Sequence, residues 1–133
     1  MNSQQTLYER IGGEAGLGRL LKHFYSDVRQ HSLLGPVFNR EIKDWPEHLK
    51  TIASFWARLT GGPSEYAGRM PAKHLFLGIN ASHFEAWLQL WGFNCAAHLP
   101  PGEAREMTSL AQDIGARLKG ILSSRHSVPG IGV

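Results

Sequence analysis

A single cysteine in 133 residues, Cys95, has no partner within the chain, so an intramolecular disulfide framework is excluded. A structural zinc site goes with it, because such sites need about four ligands and neither clustered cysteines nor a His-Glu-x-x-His pattern is present. Long apolar runs are missing too. None approaches the roughly 20 residues that span a bilayer, and the polar opening MNSQQTLYER lacks the apolar stretch of a secretory signal. No membrane partner is expected, and the cytoplasm is the expected location. Charge of one sign is not concentrated anywhere: the net +3 comes from Lys and Arg scattered among Asp and Glu, which argues against nucleic acid as a partner. Strand-like alternation is nearly absent.

What remains is helical. Hydrophobic residues make up 42% of the chain, enough for one buried core and one domain, and they recur three and four apart in several stretches. Thr6 to Ile11 predicts a short helix stopped by Gly12 and Gly13. Glu14 to Gln30 is strongly amphipathic through Leu17, Leu20, Leu21, Phe24, Tyr25 and Val28, so Tyr25 is expected on the core side, and Gly35-Pro36 closes the region after it. Asp44 is expected to cap a helix with Pro46 in its first turn and an apolar face through Leu49, Ile52, Phe55, Trp56 and Leu59. His48 lies on that face, where the pattern otherwise demands a hydrocarbon.

Pro71 breaks any helix arriving from upstream and leaves His74 on a short fresh turn beside Leu75, Leu77 and Ile79. Ser82 and Glu85 read as a capping box that opens a helix with Phe84, Trp87, Leu88, Trp91 and Cys95 along one face, which makes Cys95 a buried neutral thiol. Pro100-Pro101-Gly102-Glu103 starts a last helix. The expected organisation is one domain over residues 1–122, with residues 123–133 as a loose tail.

Of seven histidines, only His48 and His74 combine an apolar setting with a position another element can close over; His23, His31, His83, His98 and His126 read as surface residues. Either of the two, taken alone, reads first as a hydrogen-bonded core residue. Together they suit haem, which needs one protein ligand and a large apolar slot, where zinc would need about four. Trp56 and Trp91 read as core filler, whereas Trp87 follows Phe84 by one turn at a place where an indole N–H can reach a ligand.

LYERIGG, FYSDV, LLGPVF, the DWPEHL and FWARL stretches, GGPSEY, MPAKH and HFEAWLQLW stand in an order that resembles the truncated, two-over-two haemoglobins from Leu7 to about Leu122. The middle and last of these resemble the group III branch most, while Gly12-Gly13 and Gly61-Gly62 are features of groups I and II. The resemblance implies an all-α truncated globin, a two-over-two helical sandwich around haem b (iron protoporphyrin IX). It implies His74 as the proximal iron ligand, Phe38 stacked on the haem, Tyr25, His48 and Trp87 as the distal polar set, and Ile52, Phe55, Ile79 and Phe84 lining the slot. Arg69 and Lys73 would pair with the propionates. The function implied is binding of O₂, NO or CO for oxygen or NO chemistry or sensing, with a reductase as a possible partner. A peroxidase-like enzyme is the alternative on the same pocket, and a haem-free helical interaction module is the alternative of another class.

Overall fold

The computed structural model describes residues 5–64 and 80–126, and every regular element among them is an α-helix. In chain order these are α1 (Leu7–Arg10), α2 (Gly13–Gln30), α3 (Leu34–Glu41), α4 (Trp45–Thr60), α5 (Ala81–His98) and α6 (Pro101–His126). No helix among the described residues is long and apolar enough to cross a membrane.

The chain's short polar residues set most of the starts. Thr6 and Glu9 form a reciprocal capping box on α1, and Asp44 Oδ1 accepts the Glu47 amide at 3.1 Å with Pro46 in the first turn of α4. Gly12 separates α1 from α2 at φ +104°, a conformation that any side chain would strain.

Several expectations change here. Gly35-Pro36, read as a closing signal, instead lies in the first turn of α3: a missing N–H costs nothing there, and His31 Nδ1 accepts the Leu33 and Leu34 amides at 3.1 and 3.2 Å. The cap of α5 is Asn80 rather than Ser82. Its Oδ1 accepts the Ser82 and His83 amides, and the Asn80 amide donates to His83 Nδ1 at 3.0 Å, so His83 closes the box and is buried rather than a surface residue. Leu59, assigned to the apolar face of α4, is exposed, and Thr60 takes the buried place with its hydroxyl donating to the Trp56 carbonyl at 2.7 Å. The last helix also continues to His126, past Ser123, since no Gly or Pro lies between Ser123 and Pro129.

Two helix pairs carry the architecture: α2 packs against α4, α5 packs against α6, and α2 lies across α5 to join them. At the junction Trp56 of α4 stacks on Trp91 of α5, with centroids 4.6 Å apart at 14°, and Phe24 of α2 meets Trp91 edge-on at 4.8 Å. The Trp91 indole donates to the Met107 carbonyl of α6 at 3.0 Å, so this fully buried ring ties the second pair together while its own polar atom is satisfied. Arg10 fastens α1 to α6 through Glu103 and Glu106, at 3.0 and 2.6 Å.

Candidate functional site

The heptad-like spacing of α2 turns Tyr25 inward, and only 4% of it is exposed. Burial pushes the Tyr25 hydroxyl well above its ordinary titration range, and the indole N–H of Trp87 on α5, a group that can only donate, opposes that shift only in part. The phenol is therefore a neutral donor at every physiological pH.

His48 comes from the first turns of α4. Its ring stands edge-on to Tyr25 at 5.7 Å and its Nε2 is shielded from solvent, so the imidazole points inward as its place on the apolar face requires. Phe38 of α3 is buried with its ring 6.3 Å from Tyr25. Three residues implied by the resemblance thus gather around the Tyr25 phenol from three other helices. Ile52 and Phe84 are buried, and Phe55 is half-buried, edge-on to Trp56 at 5.9 Å. Arg69, Lys73, His74 and Ile79 lie outside the described residues.

Trp45 was not singled out as a site residue, yet it stands 5.5 Å from His48 and 5.9 Å from Tyr25. Its spacing of three before His48 on a capped helix was the available signal. Phe24 likewise backs Trp87 edge-on at 5.6 Å.

The described part of this site fits haem. Helices α4 and α5 both lie on α2 without packing along each other, joined by the Trp56–Trp91 stack, and the side chains assigned to the space they border are the apolar Ile52, Phe55 and Phe84. The polar atoms gathered there belong to a phenol, an indole and an imidazole. A large apolar group with a small polar ligand at its centre suits such a lining.

Comparison with known proteins agrees. Residues 6–107 match the bacterial-like globin family. The group 3 truncated hemoglobin ctb of Campylobacter jejuni is 37% identical over 89 residues, which are 63% of this chain and 69% of that one. The group 1 truncated hemoglobin GlbN of Nostoc commune is 29% identical over 121 residues, 90% of this chain and 98% of that one. Among solved structures, the group III truncated hemoglobin from Campylobacter jejuni superposes with a TM-score of 0.78 at 30% identity, covering 83% of this chain and 91% of that one. A family match over most of the chain, together with the same helical arrangement, means that this chain belongs to the bacterial-like globins and is a truncated haemoglobin.

Proposed function

We propose that this globin holds haem b through His74 and binds diatomic ligands under a hydrogen-bonding distal wall of Tyr25, Trp87 and His48, for oxygen or NO chemistry or sensing rather than bulk oxygen delivery. The observation that carries this reading is the buried Tyr25 phenol with the His48 ring edge-on to it at 5.7 Å and the His48 Nε2 shielded from solvent. When bound, haem with one histidine ligand would supply an iron able to take O₂, NO or CO. The chain's residues do the rest. Tyr25, kept neutral by burial, offers its proton to a ligand that gathers negative charge, and a bond of that kind is worth roughly 1.5–3 kcal/mol. Two donors at one wall favour a long-lived complex over rapid release. Phe38, Ile52, Phe55, Ile79 and Phe84 exclude water around the ring, and Arg69 and Lys73 balance the propionates. A reductase that keeps the iron ferrous and a cytoplasmic location complete the proposal, and the single thiol suits a reducing compartment.

Visible spectra of the purified protein in ferric, reduced and CO-bound forms, with His74→Ala alongside, test the proposal. The expected result is a Soret band that moves with CO and is lost or altered in the variant. A colourless protein that also takes up no added haemin overturns it.

A further inference from the structure

A second cavity, of about 560 Å³ and partly open to solvent, lies where α2, the end of α3 and the start of α4 meet. Its floor is aromatic and apolar, made of the buried Tyr25 and Trp45 with the half-buried Leu49. Its rim is cationic. Lys22 and Arg29 stand two helical turns apart on α2 and both line the cavity; among the described residues no acidic side chain lines it and neither cation forms an ion pair. Arg29 is also held in place: its guanidinium lies 4.7 Å over the Trp45 ring, and the Asn39 side chain donates to the Arg29 carbonyl at 3.1 Å, which fixes the end of α3 against that turn. A guanidinium stacked on an indole keeps its N–H edge free for a planar acceptor.

We propose that this cavity binds a small organic carboxylate with a flat aromatic body, the ring lying against Trp45 and Leu49 and the carboxylate bridging Arg29 and Lys22. The volume falls in the ordinary range for small-molecule sites, roughly 300–1,000 Å³. An aromatic floor with paired cations at the mouth selects against neutral rings, which leave the cations unused, and against small hydrophilic anions, which leave the floor unused. The inference does not rest on the haem proposal, since none of these groups belongs to the iron-binding wall except Tyr25, whose ring is shared.

Calorimetric titration of the whole protein, reduced and under CO so that no carboxylate is counted at iron, tests it with naphthoate as the probe and naphthamide as its neutral match. The expected result is saturable one-to-one binding of naphthoate, with naphthamide and the Arg29→Gln variant each weaker by roughly tenfold or more, as loss of a charge-assisted contact requires. Lys22→Gln, on the exposed side of the rim, weakens it less. Far-ultraviolet circular dichroism of each variant confirms that the fold is kept. Equal affinity for acid and amide, equal affinity in Arg29→Gln, or no saturable binding overturns the proposal, and each result stands whether or not the protein carries haem.

Discussion

The Tyr25 hydroxyl is a donor because burial blocks its ionisation, so the phenol keeps its proton at physiological pH. It is expected to act more strongly on a bound ligand than Trp87. Tyr25→Phe removes the primary donor and is expected to speed O₂ release roughly tenfold or more, whereas Trp87→Phe leaves the phenol in place and has a smaller effect. CO, which gathers less negative charge, should respond less to either change. Stopped-flow displacement on the three proteins decides it; equal O₂ release rates in all three would place the hydroxyl away from the ligand. Trp45 belongs to this scale as well. Its ring touches both the Arg29 guanidinium and the His48 imidazole, so a surface cation and an inward imidazole share one neighbour.

Helix α2 shows how the same substitution can have opposite signs within one element. A Cβ on Gly16 would collide with the Ile11 carbonyl oxygen, while one on Gly18 meets nothing within 4 Å. Gly16→Ala is therefore expected to destabilise by about 2 kcal/mol or more, since backbone must move, and Gly18→Ala to stabilise by roughly 0.5–1 kcal/mol through reduced chain entropy. Urea midpoints of the two variants check both signs together; a Gly16→Ala protein as stable as the parent would refute the close approach. The elements also show what could be read from the sequence. Periodicity placed α2 and the start of α4 well, because Leu17 to Val28 repeat without interruption and Asp44-Trp45-Pro46 allows few alternatives. It missed α3, because Gly35-Pro36 is ambiguous without knowing that the His31 ring stands in front of it as a cap. It misplaced the cap of α5, because Asn80 and Ser82 are both competent and the deciding partner, His83, is not the carboxylate or amide that the pattern expects. At the site, Tyr25, His48 and Trp87 were legible as inward positions. The edge-on contact of Tyr25 with His48 was not, because α2 and α4, 23 positions apart in these residues, must first be packed on each other.

For the molecule as a whole, two buried acids fix how stability depends on alkalinity. Burial raises the Cys95 thiol from 9.0 to about 12, and it raises the Tyr25 hydroxyl as well. In the unfolded chain both groups ionise near their ordinary values, so above about pH 9 the folded state binds more protons and stability falls as pH rises. Their contribution is complete below pH 9.0 and is lost progressively as pH rises towards the folded Cys95 value of about 12. The slope approaches about 1.4 kcal/mol per pH unit for each group. Cys95→Ala, although less stable near neutrality because it opens a cavity, is expected to lose stability less steeply over that interval. Urea unfolding of both proteins across it gives the comparison; parallel slopes would mean that the thiol ionises freely in the folded protein.

The two ends of the described chain are joined by Arg10, whose guanidinium grips Glu103 and Glu106 across sequence separations of 93 and 96 residues. A ribosome makes these partners in the wrong order. Arg10 emerges first and waits while the core of α2 and the helices after it are synthesised, several seconds at roughly 5–20 residues per second. For that interval the short turn of α1, four residues long and too short to persist alone, has its Thr6 cap and whatever packing α2 and α4 already offer it. Its ion pairs come last, because they wait for the arrival of the final helix.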